Sequence, residues 1–284
     1  MIRFTTSCVA LFAVACPQAW SRDFAATSLE PATAWELQRT TDACRLVRSF
    51  GTGDGTVRLN LDFVDSAAGP SLTLIGNPAA IRATWTQARV SFGATRLAEN
   101  VAVPAQIDAT GEPLLGMGLL RESGVRSSDG GTAISRKTLG AADRILIDVD
   151  GGAKVSLATG TLDEPFTRAS ACADDLLAGR GLDPLVQHGL QRRPTPAGHP
   201  DEWATDLDFP AHARMNGVVV FLLIVSAQGR PTGCAAPAGV DLADFGRLTC
   251  DLLLARSQFR PARDGAGQPV ASTFTSALVW RRPG

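Results

Sequence analysis

Residues 217–225 read GVVVFLLIV, and this run decides the fold of the C-terminal part of the chain. A short, nearly continuous apolar stretch rich in β-branched residues predicts a β-strand. The polar segment that leads to Gly229 ends the strand, and a shorter strand is expected around residues 232–236. These residues therefore predict the first two strands of a small sheet.

A helix and a last strand complete this unit. Asp241 is placed to cap the helix, and its apolar residues form one stripe: Leu242, Phe245, Leu248, Leu252 and Leu253. In the last strand, large apolar residues and threonines alternate between the two faces, as period-two spacing requires. The predicted order over residues 201–284 is β-β-α-β, a small sheet with one helix across it.

The preceding part, residues 22–190, is predicted to be a β-rich domain with a helix at its C-terminal end. Apolar and polar residues alternate over 57–63 and 145–149, which is typical of half-buried strands. Gly151-Gly152 suits a hairpin turn, and residues 166–177 carry apolar side chains at helical spacing. The expected fold class of the whole chain is α+β.

Residues 191–200, QRRPTPAGHP, separate the two domains. Prolines, a glycine and two adjacent arginines are typical of an extended connector that packs poorly. We expect this segment to be a Pro-rich linker.

The overall composition excludes several classes of protein. The chain has 284 residues, of which 45% are hydrophobic and 19% charged, and its formal net charge is −1. These values are typical of a globular protein. A nearly neutral chain is also a poor match for nucleic acid or an anionic membrane surface.

The N-terminus has the pattern of a secretory signal. Arg3 precedes an apolar run over 8–15, and small residues follow, so we expect residues 1–21 to be removed on export. The run is shorter than the roughly 20 residues that a membrane-spanning helix needs. A lipoprotein signal ending at Cys16 is an alternative.

Export sets the expected state of the remaining cysteines, which are Cys44, Cys172, Cys234 and Cys250. An even number in an oxidising compartment favours two disulfides, and four cysteines allow three pairings. We expect Cys44–Cys172 and Cys234–Cys250, because these pairs keep each bridge inside one domain. A zinc site is the alternative, but neither close cysteine spacing nor a nearby histidine supports it. We therefore expect no metal and no cofactor.

Residues 201–284 resemble the C-terminal domain of TonB, the periplasmic energy transducer of Gram-negative bacteria. The pieces that carry the resemblance occur in the family's order: Phe209-Pro210, the strand 217–225, the turn Gly229-Arg-Pro-Thr, Gly239 before the helix, Phe259-Arg-Pro-Ala262 after it, and Gly267-Gln-Pro-Val before the last strand. The resemblance implies a periplasmic location and says nothing about residues 22–190.

In that family the domain is not an enzyme, and it pairs its edge strand with an extended segment of an outer-membrane receptor. Such strand addition takes affinity from main-chain hydrogen bonds and selectivity from alternate side chains. The uncharged side of the last strand is the corresponding partner-binding candidate here, and it consists of Thr273, Thr275, Ala277 and Val279. The alternative is that this strand is covered by the first domain or lies inside a homodimer.

Two departures from the family limit what the resemblance implies. A transducer has an inner-membrane helix and a long Pro-rich spacer. Here the apolar N-terminus is too short to span a membrane, and a folded domain stands in place of the spacer. The resemblance therefore implies a TonB-like binding module rather than an energy transducer.

Motifs that would mark an enzyme are missing from the sequence. Gly51–Gly55 leads into a strand and is expected to be a turn, and Asp148-Val-Asp150 lacks the later ligands of a calcium loop. The histidines, His188, His199 and His212, are expected at the surface. Two adjacent carboxylate pairs, Asp163-Glu164 and Asp174-Asp175, should point apart. We expect no catalytic residues.

The resemblance to TonB thus implies a periplasmic protein-binding module that engages a TonB-dependent outer-membrane receptor or another envelope protein. Two alternatives remain open. The first domain could be a periplasmic enzyme that the module docks, or the module could serve self-association of an envelope protein.

Overall fold

The computed structural model describes residues 26–76, 86–97, 100–106, 112–122, 134–150, 154–211, 213, 216–237 and 243–282. Several features singled out in the sequence lie outside these residues: the signal region 1–21, the Gly151-Gly152 turn, His212, Gly239, Asp241 and Leu242.

One large sheet occupies the N-terminal part of the chain, which we call the first domain. Its strands are β1 (Thr27–Leu29), β2 (Glu36–Arg39), β3 (Cys44–Phe50), β4 (Val57–Phe63), β5 (Ser71–Gly76), β6 (Thr86–Phe92), β7 (Thr95–Arg96), β8 (Asn100–Gln106), β9 (Pro113–Leu119), β10 (Arg144–Val149) and β11 (Lys154–Ala158). Their spatial order is β1-β11-β10-β6-β8-β9-β5-β4-β3-β2, with β7 beside β6. The β1–β11 pair is parallel and the other pairs are antiparallel.

The chain just after β1 contacts the far side of the sheet at β3. Pro31, just after β1, forms a bridge with Phe50 at the end of β3. The backbone N–H of Gly51 donates to the carbonyl of Glu30 at 2.8 Å, and Gly51 has a φ of 80°, which glycine adopts without steric cost. The inner side chains of the sheet therefore enclose an apolar interior.

Three helices follow or interrupt these strands: α1 (Arg136–Ala141), α2 (Asp163–Gly179) and α3 (Pro184–His188). The buried stripe of α2, which includes Phe166, Ala169 and Ala173, packs into the interior of the sheet. Phe166 meets Phe63 edge-on at a centroid distance of 5.0 Å. The helix predicted from apolar spacing is thus the element that fills the open side of the sheet.

The C-terminal domain contains short strands β12 (Thr195–Pro196), β15 (Phe259–Arg260), β16 (Ala262–Arg263) and β17 (Pro269–Val270), and four longer elements: β13 (Gly217–Val225), β14 (Pro231–Ala235), α4 (Ala243–Arg256) and β18 (Ser272–Trp280). The longer strands form a sheet of order β14-β13-β18. The chain order of the longer elements is strand, strand, helix, strand. The expectation of an α+β chain built mostly from strands is confirmed.

Both faces of β13 are buried, which explains why its apolar residues do not alternate with polar ones. Phe221 and Leu223 pack with Trp203 and with Leu253 of α4. Leu222, on the opposite face, belongs to a cluster drawn from both domains; its other buried members are Ala43, Val64, Leu119, Leu177, Leu182 and Val220. The two domains therefore share one apolar layer.

The Pro-rich segment 191–200 is packed, contrary to the expectation of a loose linker. The N–H groups of Gln191 and Arg192 donate to the carbonyl of Arg263, and that of Ala197 donates to Gln258. Between them, β12 pairs with β15. The prolines do not prevent this packing, because the N–H groups that donate to Arg263 and Gln258 belong to Gln191, Arg192 and Ala197, which are not prolines.

Two disulfides join the cysteine pairs expected from the sequence. Cys44 of β3 is bonded to Cys172 of α2, and Cys234 of β14 to Cys250 of α4, with Cα–Cα distances of 6.0 and 5.5 Å. Such bonds indicate an oxidising, extracytoplasmic environment. Within the ranges that the structure describes, no helix combines the length and the hydropathy needed to cross a membrane.

Candidate functional site

The strand predicted to bind a partner, β18, lies at one edge of the C-terminal sheet. It pairs with β13 along its whole length, from Gly217↔Trp280 to Val225↔Ser272. No other strand of the described residues pairs with its second edge. An edge strand presents a row of backbone donors and acceptors that another extended chain can pair with.

The side chains proposed as partner contacts are on the face of β18 that the first domain covers. Thr273 and Thr275 are only 2% and 3% exposed. Ala277 lies opposite Val220 in the register and packs against the cluster shared by the two domains, and Val279 is half-buried. Burial inside the chain therefore explains the absence of charge at Thr273 and Thr275, whereas Ala277 and Val279 remain partly accessible.

The buried carboxylate of Asp65 fixes the two threonines. Its Oδ2 accepts hydrogen bonds from the hydroxyls of Thr273 at 2.6 Å and Thr275 at 3.2 Å. Its Oδ1 accepts from the backbone N–H of Ala67 at 2.9 Å. Asp65 follows β4 in the connection to β5, so this one side chain joins the large sheet to the edge strand.

Gln187 of α3 holds the beginning of β18. Its amide nitrogen donates to the carbonyl of Ala271 at 3.1 Å, and its amide oxygen accepts from the hydroxyl of Ser272 at 2.7 Å. The side chain is 3% exposed. The start of the edge strand is thus anchored at a second point of the first domain.

Asp174 of α2 connects these two anchors. The hydroxyl of Ser66, next to Asp65, hydrogen-bonds to Asp174, and Nε2 of His188, next to Gln187, lies 3.0 Å from both Asp174 oxygens. We call the resulting closed circuit of contacts and peptide links the interdomain ring; its members are Asp65, Ser66, Asp174, Gln187, His188, Ser272 and Thr273. The ring links the beginning of β18 to α2 and α3.

The ring contains a serine, a histidine and an aspartate, but not in the order that nucleophilic catalysis uses. In a serine hydrolase the imidazole lies between the hydroxyl and the carboxylate and takes the hydroxyl proton. Here the carboxylate of Asp174 lies between Ser66 and His188. In this structure the imidazole and the hydroxyl therefore both contact the carboxylate of Asp174, which joins α2 and α3 to the connection after β4.

Other residues singled out in the sequence have ordinary structural partners. Asp148 is within 3.8 Å of Arg89 and 3.7 Å of Lys154 at the end of a strand, and Gly53–Gly55 forms a short 3₁₀ turn before β4. His199 is exposed. In the part of the chain that the structure describes, no three His, Cys, Asp or Glu side chains are grouped in a way that could hold a metal ion.

The adjacent carboxylates do diverge. Asp163 contacts Arg136 at 3.3 Å, whereas its neighbour Glu164 contacts Arg168 one turn further along α2. Asp174 points into the interdomain ring, and the side chain of Asp175 is 73% exposed beside Arg39. The two carboxylates of each pair therefore have different partners.

Sequence reasoning missed Asp65 and Gln187. Asp65 stands in a short polar stretch before Gly69-Pro70 that is typical of a turn, and its partner Thr273 is 208 residues away. Gln187 follows two exposed apolar residues, Leu185 and Val186. Nothing local distinguishes either residue from solvated turn or helix positions.

Comparison with known proteins gives no assignment for this arrangement. No family model matches the chain, and neither a curated protein nor a solved structure is significantly similar to it. The resemblance to the C-terminal domain of TonB therefore rests on the sequence pieces named above.

Proposed function

We propose that this protein is a periplasmic binding module that adds an extended segment of an outer-membrane receptor to the edge of β18. The observation that carries the proposal is the position of β18, a strand of nine residues at the edge of the sheet β14-β13-β18. Its backbone would supply the main-chain hydrogen bonds of strand addition.

The anchoring of β18 supports this function. Asp65 and Gln187 hold the beginning of the strand, and on its other face Phe274 packs against Trp203 and Phe259. An edge that is rigid before binding loses little conformational entropy when a partner pairs with it. The fixed strand is thus a better template than a mobile segment.

The first domain would contribute to selectivity. Side chains of an added strand alternate between the two faces of the sheet. Those on one face would point towards the first domain, which already covers Thr273 and Thr275, and those on the other towards the side of α4. The first domain is therefore part of the proposed binding surface and not a spacer.

The experiment is site-specific photo-crosslinking in cells that export the full-length protein. A photoreactive residue at Val279 leaves the contacts of Asp65 intact, unlike one at Thr273 or Thr275. The matched control carries the same residue at Leu207, which is 96% exposed in the C-terminal domain and is not part of β18. Captured peptides are identified by mass spectrometry.

We expect Val279, but not Leu207, to capture a periplasm-facing segment of an outer-membrane receptor. Capture of a second copy of this chain would contradict the proposal and favour self-association. Capture only of the chain's own first domain would mean that the edge is closed internally, which would also contradict it.

A further inference from the structure

A pocket of about 240 Å³ lies in the first domain between α1, the N-terminal half of α2 and the connection from β4 to β5. Its floor is apolar and consists of Phe63, Ile134, Leu139 and Phe166, each no more than 6% exposed. Drug-sized ligands occupy pockets of about 300 Å³ or more. The size of this pocket therefore suits a molecule of about one ring.

The rim of the pocket carries charges of both signs. Arg136 and Asp163 stand together on one side, with their side chains 3.3 Å apart and 73% and 45% exposed. Ser66 and His188, both members of the interdomain ring, line another side of the pocket, and Ser170 of α2 lines it as well. Because the formal charges of Arg136 and Asp163 cancel, the rim does not favour an anion over a cation.

These groups retain hydrogen-bonding capacity. Among the described residues, Arg136 makes one side-chain bond, through Nη1, and the second carboxylate oxygen of Asp163 makes none. A guanidinium has five N–H donors, so donors and an acceptor are available side by side. Within the same described ranges, the hydroxyl of Ser170 has no hydrogen-bond partner.

The other side of the rim adds acceptors. The contact with Asp174 uses Nε2 of His188, so it leaves Nδ1 of the ring without a part in that contact. Ser66 donates its proton to Asp174 and keeps its oxygen lone pairs. The rim thus offers both donors and acceptors above an apolar floor.

We propose that this pocket binds a small neutral polyhydroxy compound, the size of a single sugar ring. Hydroxyl groups both donate and accept, so they match a rim that offers both. The carbon skeleton would contact the apolar floor. This site is separate from the edge of β18, and the proposal does not depend on strand addition.

The test is binding of monosaccharides to the full-length, oxidised protein, measured by calorimetry and by saturation-transfer NMR. The probes are glucose, galactose and N-acetylglucosamine, with inorganic phosphate and leucine as charged comparisons. The variants are Arg136→Gln, which removes the exposed guanidinium, and Ser170→Leu, which fills the pocket from α2. The matched control is Arg168→Gln on the same helix, because Arg168 pairs with Glu164 and does not line the pocket.

We expect at least one sugar to bind the wild type and Arg168→Gln equally, and to bind Arg136→Gln and Ser170→Leu about tenfold more weakly. Tenfold corresponds to about 1.4 kcal/mol, the scale of one or two hydrogen bonds. If no sugar binds the wild type, or if binding is unchanged in both pocket variants, the proposal is wrong. Binding of phosphate or leucine in place of sugars, with loss in Arg136→Gln, would also overturn it.

Discussion

Replacing Asp65 with alanine should loosen the edge strand β18 from the first domain. The substitution removes the acceptor of the hydroxyls of Thr273 and Thr275, two residues that are only 2% and 3% exposed. A buried hydroxyl without a partner loses its hydration with no compensation. We therefore expect a fall in the free energy of unfolding.

The two hydrogen-bond distances set how much each threonine contributes to the loss of unfolding free energy. Hydrogen bonds to charged groups contribute about 1.5–3 kcal/mol. The Thr273 bond at 2.6 Å belongs within this range, and the Thr275 bond at 3.2 Å belongs at its lower end. We expect Asp65→Ala to cost roughly 3 kcal/mol, since removal of a costly buried charge offsets part of the loss.

The assay is a double-mutant cycle on the full chain, with urea unfolding followed by circular dichroism. Asp65→Ala is combined with Thr273→Val and, separately, with Thr275→Val. The expected coupling energy is about 2 kcal/mol for Thr273 and about 1.5 kcal/mol for Thr275.

The control pairs Asp65→Ala with Thr249→Val. Thr249 is also fully buried, but it accepts a hydrogen bond from Trp280 at the side of the sheet that α4 covers. Its effect should add to that of Asp65→Ala within about 0.5 kcal/mol. A coupling energy near zero for Thr273, or equal coupling for Thr249 and Thr273, would refute the assignment of Asp65 as the anchor of β18.

Three further outcomes can be measured on the same full-length protein. Leu222→Ala should lower the free energy of unfolding in urea by about 2–5 kcal/mol, because the side chain is fully buried between the domains. The control Leu207→Ala changes a side chain that is 96% exposed and should alter stability by less than about 0.5 kcal/mol. Equal costs for the two variants would contradict the shared apolar layer. Cys250→Ser opens a loop with a sequence separation of 16 and should cost about 3 kcal/mol under oxidising conditions and nothing in excess dithiothreitol; a loss that persists in reductant would argue against the bond. The two bonds that the Arg256 guanidinium donates, at 2.7 and 2.8 Å, hold the pKa of the Asp208 carboxyl well below its usual range. The stability gained from that ionised carboxylate is complete above its unfolded pKa of about 3.9 and is lost as the pH falls further. Asp208→Asn should therefore lower the melting temperature at pH 7, and the difference from wild type should shrink below about pH 4; a difference independent of pH would refute this explanation.

Local patterns predict the elements whose environment is visible in their own residues. The apolar run at Gly217–Val225 forms β13, the alternation at Val57–Phe63 forms β4, and the helical spacing around Phe166 lies within α2. Alternation is less informative about what covers the polar face. Asp62, on the polar face of β4, is only 7% exposed and pairs with Arg45 of the neighbouring strand.

The candidate site was predictable only in part, because its determinants are far apart in the sequence. β18 could be recognised as a strand with one uncharged face. The reason for that face is Asp65, together with an apolar cluster to which Ala43 and Leu119 contribute. Period-two spacing shows that a face is apolar or uncharged, but it does not show whether another domain or a separate protein covers it.

The burial of β13 between the two halves of the chain has a consequence for how the protein can be divided. A fragment that begins after residue 200 would expose Val220, Leu222 and the two threonines bonded to Asp65, and an apolar surface of this kind promotes aggregation. The halves should therefore unfold in one cooperative transition. If such a fragment dimerised, the contact would form through the uncovered face of β13. Dimers of the intact chain, in which that face is covered, would instead form through the edge of β18.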